Sequence, residues 1–130
     1  MRRVLTLTVG CLVFLVLSAG AVLAVTIIDC PNVPGTNKCM GTAESDVMIG
    51  ASANDAIAGL DGRDKINDSA KQDIDTISGN GGNDTIDVRE GSGGLNNRDL
   101  VDCGRGGRDR VFFDTGSSGD KVVRCEIKNP

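Results

Sequence analysis

The stretch "GNGGNDTID", residues 79–87, sets three glycines and an Asp ahead of a single Ile. Glycine takes backbone angles that other residues avoid, so its first six residues read as a tight turn closed by Asp84. "TID" then reads as a fragment of strand, too short to fold alone. The step Asp-x-aliphatic recurs at Asp46/Met48, Asp55/Ile57, Asp64/Ile66, Asp75/Ile77 and Asp84/Ile86, then at Asp99/Val101, Asp109/Val111 and Asp120/Val122. Asp61, Asp87, Asp102 and Asp114 are instead followed two positions later by Arg or Gly, so the pairing is selective. Glycines keep the same register: Gly41, Gly50, Gly59, Gly79 and Gly104 lie five positions before a repeat Asp, and Gly62, Gly82 and Gly107 two before.

The unit is therefore a six-residue turn ending in Asp, then a three-residue strand whose middle aliphatic points inward. One Ile cannot offset the entropy of ordering nine residues, at about 1–2 kcal/mol each. Stacked units would bury a continuous Ile/Val ladder, so each unit depends on its neighbours. This predicts an all-β solenoid over about Gly41 to Val123, with no long helix after the leader.

"GLDGRDKIN", "GNGGNDTID" and "GRGGRDRVF" resemble the RTX, or haemolysin-type, calcium-binding nonapeptide G-G-x-G-x-D-x-U-x, where U is a large aliphatic. "GTAESDVMI" and "GASANDAIA" look like degenerate copies that keep the first Gly, the Asp and the aliphatic. The chain is thus similar to a short, exported bacterial form of that family. The resemblance implies a parallel β-roll with two nonapeptides per coil and Ca²⁺ between successive turns along each edge.

The chemistry agrees. Ca²⁺ takes about six to eight oxygen ligands at roughly 2.3–2.6 Å, and Gly-rich turns can aim several carbonyls at one point while an Asp adds charge. Turns stacked about 4.8 Å apart would set Asp carboxylates against each other, repelling until a cation lies between them. Metal binding and folding should then be coupled. The family's pairing of each turn with the next but one joins Asp46 to Asp64, Asp55 to Asp75 and Asp64 to Asp84. These five are the expected metal ligands. The last two pairs cross the two-residue insertion in "DSAKQDID". Beyond Asp84 the insertion "VREGSGGLNNR" breaks the register and Arg105, Arg108 and Arg110 crowd the next turn, so no strong site is expected there. The competing reading is an Asx-turn, in which each Asp only caps its own backbone.

The chain of 130 residues opens "MRRVLTLTVGCLVFLVLSAGAVLA", the layout of a secretory signal peptide cleaved after "AGA" or "VLA". An uncleaved anchor is the alternative, since residues 4–28 are long enough to span a bilayer. Residues 1–24 are taken as signal, 25–40 as an N-terminal cap with a short cysteine loop, and 41–87 as the calcium-binding repeats. Residues 88–98 form an insertion loop, and 99–130 hold degenerate repeats with a C-terminal disulfide cap. A secreted, extracellular location and a monomer are expected, with any cell-surface partner unassigned.

Without residues 1–24, 12 basic residues face 18 acidic ones, which argues against nucleic acid as a partner. The acid is concentrated in residues 41–87, with 10 Asp/Glu against 3 Lys/Arg. Cys30, Cys39, Cys103 and Cys125 remain, an even number suited to two disulfides in an exported chain. Three connectivities are open, and local pairing, Cys30 with Cys39 and Cys103 with Cys125, is expected. With no His and no C-x-x-C pair, zinc is disfavoured.

The chain also lacks a His base for a hydrolase triad and an aromatic platform for sugars, so it is not read as an enzyme. Toxin and enzyme members of the resembled family carry a catalytic domain ahead of the repeats and a C-terminal export signal; this chain is expected to have neither, so a toxin or enzyme role is not expected. The functional alternative is a calcium-free or weakly binding structural or adhesive solenoid.

Overall fold

A computed structural model describes residues 25–31, 38–68, 73–90, 98–115 and 119–130. The expected signal segment, residues 1–24, and most of the insertion loop lie outside the described residues. Among the described residues every regular element is a strand: β1 (Thr26–Asp29), β2 (Lys38–Met40), β3 (Asp46–Ile49), β4 (Ala56–Gly62), β5 (Lys65–Asn67), β6 (Thr76–Gly82), β7 (Thr85–Asp87), β8 (Leu100–Asp102), β9 (Arg110–Phe112), β10 (Lys121–Val123) and β11 (Ile127–Asn129).

The odd strands form one parallel sheet in the order β1-β3-β5-β7-β9-β11, and the even strands a second in the order β10-β8-β6-β4-β2. The chain alternates between sheets at every turn, which makes a parallel β-solenoid. Two nonapeptides per coil set the register. Val47 pairs with Lys65 and Lys65 with Thr85 on one sheet, while Ala56 pairs with Thr76 and Thr76 with Leu100 on the other.

The roll is longer than the repeat pattern predicts. β1 and β2, from the segment read as a cap, supply the first strand of each sheet, and β11, beyond Val123, supplies the last strand of the odd sheet. β4 and β6 also run to seven residues rather than three. Their turns pair as well, Leu60 with Asn80 and Gly62 with Gly82, because matching turn conformations let the ladder continue around the corner.

Met48, Ile57, Ile66, Ile77, Ile86, Val101 and Val111 are each at most 2 % exposed and fill the space between the sheets. Full burial of such a side chain contributes about 1.5–3 kcal/mol, gained only once a neighbouring coil covers it. Val122 and Phe113 pack against this column from the C-terminal end. Disulfides join Cys30 to Cys39 and Cys103 to Cys125, the local pairing expected. The first joins the end of β1 to β2, and the second joins the residues after β8 and β10, one coil apart; three of the four cysteines are buried in the core.

Candidate metal centres

The repeat Asp residues form two ladders, one along each edge. On the first edge the backbone N–H of Asp46 donates to Oδ1 of Asp64 (2.9 Å), that of Asp64 to Oδ1 of Asp84 (2.9 Å), and that of Asp84 to Oδ1 of Asp109 (2.8 Å). Glu126 ends the ladder by accepting the N–H of Asp109 (2.9 Å). On the second edge Asp55 donates to Asp75 (2.6 Å), Asp75 to Asp99 (2.9 Å) and Asp99 to Asp120 (3.2 Å). The three Asp pairs expected from next-but-one stacking are therefore all in register. Asp99, Asp109 and Asp120, in the stretch where no strong site is expected, continue the same ladders and take no ion pair. Among the described residues the only ion pairs are Arg89–Asp87 and Arg124–Asp102.

Asp46 and Asp55, at the head of each ladder, instead accept N–H groups of their own turns at Oδ2, from Thr42 (2.6 Å) and Ala51 (2.6 Å), as in the turn-capping reading. In the carboxylates that follow, one oxygen serves the ladder, leaving the other. Asp64, Asp75, Asp84, Asp99 and Asp109 are all buried, and Oδ2 of each lacks a hydrogen-bond partner. An unpaired buried carboxylate oxygen is costly, so something must answer it. Burial accordingly pushes the carboxyls of Asp84 and Asp99 up to about 7 and raises those of Asp64 and Asp109; neighbouring acids push the same way.

On the first edge, Gly41, Gly59 and Gly79 stand in one column, turn above turn. A Cβ on Gly79 would lie 2.5 Å from Oδ2 of Asp84 and 2.5 Å from the Cys103 carbonyl. A Cβ on Gly59 would run into Oδ2 of Asp64 and lie 2.9 Å from the Gly79 carbonyl. At each glycine, then, a carboxylate oxygen of its own turn and a backbone carbonyl of the next turn converge on one point. Hard oxygen donors carrying net negative charge suit Ca²⁺. The free Oδ2 atoms of Asp64 and Asp84 and this glycine cradle fit the ion, and these two with the carbonyls of Gly59 and Gly79 are the groups that would hold it; Asp46, whose Oδ2 accepts the Thr42 N–H, would join them by giving up that bond.

The turns that build the cradle are strained in one place. Gly62 (φ 123°) and Gly82 (φ 129°) occupy angles suited to glycine, but Leu60 (φ 80°) and Asn80 (φ 72°) occupy the left-handed region as well. The repeat pattern asks for Gly at that second position, and a bulky Leu there is an outlier.

The second edge differs. The column stacked under Gly50 holds Asp68 and then Val88, where the first edge has glycines. Gly50 has room only for hydrogen, since a Cβ would meet the Asp68 carboxylate, 2.6 Å from its Oδ2. Oxygens of Asp55, Asp68 and Asp75 lie within 4.8 Å of one another, as do those of Asp73, Asp75 and Glu90. Burial raises Asp68 to about 7, Asp75 to about 8 and Glu90 to about 8, with nearby carboxylates adding to the rise. Arg89 turns away from Glu90: it pairs with Asp87 (2.7 Å) and lies 4.7 Å from the Phe112 ring centre.

Asp68, Asp73 and Glu90 escaped the sequence reading, which followed Asp-x-aliphatic steps. Asp68 precedes Ala70, Asp73 precedes Asp75, and Glu90 is not an Asp. The usable signal was positional: Asp68 stands nine residues after Gly59, in the slot where the next turn-opening glycine was due. Asp114, also outside the register, accepts the N–H of Glu90 (2.8 Å) and so supports this edge.

Stacked parallel coils, glycine turns and a column of half-satisfied acids define a cation-binding β-solenoid. The family model for the RTX calcium-binding nonapeptide repeat (4 copies) matches residues 35–67 and 69–95, so this segment is a run of RTX repeats and Ca²⁺ is the ion that the family implies. No curated protein and no solved structure matches the chain.

Proposed function

We propose that this is an exported calcium-binding protein, without catalytic activity, whose repeats complete their folding around the ion. The observation that carries this reading is the buried, unpartnered Oδ2 of Asp64 and Asp84, each facing a glycine cradle. Ca²⁺ at these points removes the repulsion between stacked carboxylates, so binding the ion stabilises the folded roll. Asp46, Asp55, Asp64, Asp75 and Asp84 are the assigned ligands. Calcium-rich surroundings outside the cell would favour the folded form, and the acidic, monomeric roll would present its outward strand faces to any extracellular partner.

The test is thermal unfolding of chelator-stripped protein with and without Ca²⁺. A hundredfold excess over the dissociation constant should add about 2.7 kcal/mol, seen as a clear rise in melting temperature. Mg²⁺ should do much less, because it demands a tighter octahedron and sheds water reluctantly. Asp64→Ala should reduce the calcium response most on the first edge, as Asp64 stands between Asp46 and Asp84. Asp29→Ala, on exposed β1, is the control. Identical melting with and without Ca²⁺ would leave the second reading, a calcium-free structural solenoid. That reading has one observation in its favour: the Oδ1-to-backbone ladders join the coils without any ion.

A further inference from the structure

The second edge combines a short-range cluster of acids with a side chain that has nowhere else to turn. Asp68 is 2 % exposed, and both of its carboxylate oxygens are buried without a hydrogen-bond partner. Oδ1 of Asp55 and Oδ2 of Asp75 are likewise unpartnered, and the three residues bring oxygens within 4.8 Å of each other. Asp75 can relieve Asp68 only when one of the two carries a proton. Asp73 and Glu90, less buried, also bring oxygens within 4.8 Å of Asp75 and of each other.

We propose that Asp55, Asp68 and Asp75 form a second kind of cation site, built from side-chain carboxylates where the first edge uses glycine carbonyls. Asp68 takes the slot of the turn-opening glycine and supplies the donor that the missing cradle would have given. The two kinds of site differ in charge. At each first-edge glycine one carboxylate oxygen meets one neutral carbonyl, whereas the second edge brings three carboxylates together, with Asp73 and Glu90 beside them. Coulomb attraction rises with the product of the charges, so the second edge should favour a hard cation of higher charge. A trivalent lanthanide should fill it before the glycine edge, while Ca²⁺ should occupy both. The inference rests on the calcium-binding reading above, which already assigns Asp55 and Asp75; it adds Asp68 as a third ligand and the charge selectivity that follows.

Protein purified from expression of the full chain and stripped with chelator allows both to be tested. Calorimetry counts Ca²⁺ equivalents. Directly excited Eu³⁺ luminescence follows lanthanide filling, since the chain has no Trp or Tyr to sensitise it. Asp68→Asn should remove one Ca²⁺ equivalent and weaken the tightest Eu³⁺ site by at least about tenfold. Asp64→Asn should lose calcium at the glycine edge and keep that Eu³⁺ site. Asp68→Gly, which restores the glycine of the repeat, should also abolish the tightest Eu³⁺ site.

Removing a buried, unpartnered charge should also raise the apo melting temperature of Asp68→Asn while shrinking its calcium-induced rise. If both Asp68 variants keep the full Ca²⁺ count and the tight Eu³⁺ site, the second site is refuted and the calcium-binding reading stands. A lower apo melting temperature with an unchanged calcium-induced rise would make Asp68 structural and overturn the proposal. If Asp64→Asn alone changes nothing, the glycine-edge reading fails instead.

Discussion

The two edges of the roll carry the same Asp ladder but different columns beside it. On the first, Gly41, Gly59 and Gly79 leave open points where carbonyl and carboxylate oxygens meet. On the second, Gly50 is followed by Asp68 and by Val88, which is fully buried, so side chains fill what glycine leaves open opposite. A solenoid stacks every coil on its predecessor, so one substitution in a column changes the chemistry of that edge over neighbouring coils. The ladder hydrogen bonds need only the Asp. What the remaining carboxylate oxygen faces depends on the residue five positions earlier or on the next coil.

The largest effect expected on this comparison is that of pH on the apo protein, because both edges hold acids raised by burial. Asp84 on the first edge is raised to about 7; on the second, Asp68 is raised to about 7 and Asp75 to about 8. In the unfolded chain such groups titrate near 4. A folded state that holds protons more tightly is favoured at low pH, so apo stability is greatest near pH 4 and falls as pH rises to about 8. Apo melting temperature should drop by the order of 10 °C over this window. The calcium-induced rise should grow over the same window, since the ion needs ionised carboxylates. Differential scanning calorimetry with and without Ca²⁺ would show both slopes. An apo melting temperature that rises from pH 4 to pH 8 would contradict the buried ladders.

Next in size are the glycine substitutions that separate the edges. Gly79→Ala should cost about 1–3 kcal/mol by denaturant unfolding, because the new Cβ meets the backbone carbonyl of Cys103 as well as Asp84. Gly50→Ala should cost a similar amount for another reason: all three atoms nearest its Cβ belong to Asp68. Asp68→Gly should therefore rescue Gly50→Ala, with a coupling of about 1–2 kcal/mol in a double-mutant cycle. Trimming Asp84 should not rescue Gly79→Ala, since the carbonyl remains. Equal rescue on both edges would remove the distinction between them.

The smallest effect belongs to Leu60. Replacing it with Gly relieves a left-handed Leu and should stabilise the protein by about 1 kcal/mol. Its turn would then read "GGDGRD", closer to the repeat pattern, and calcium affinity at the first edge should hold or improve. Asn80, in the same region of backbone space, should show a smaller gain on change to Gly, because Asn tolerates that region better than Leu.

The sequence by itself determined the solenoid, its coil length, its inward Ile/Val column and the pairs Asp46–Asp64, Asp55–Asp75 and Asp64–Asp84. The repeat and its inward column follow from counting, whereas the coil of two nonapeptides, and with it the three Asp pairs, came from the resemblance of the repeat to the RTX nonapeptide. It also singled out the local cysteine pairing, though two other connectivities stayed open until the fold brought the partners together. Tertiary structure alone decided which further acids gather beside the ladder of the second edge. Counting puts Asp68 in a glycine's slot, but Asp73 and Glu90 flank insertions, and no count predicts where an insertion returns the chain. The burial of Asp68 depends on Gly50 in the coil above, 18 residues away, having no side chain to occupy the same space. Glycine and Asp in a turn announce themselves by spacing. A carboxylate in a glycine's place becomes a candidate ligand only when the stack closes over it and removes the water that would otherwise solvate it.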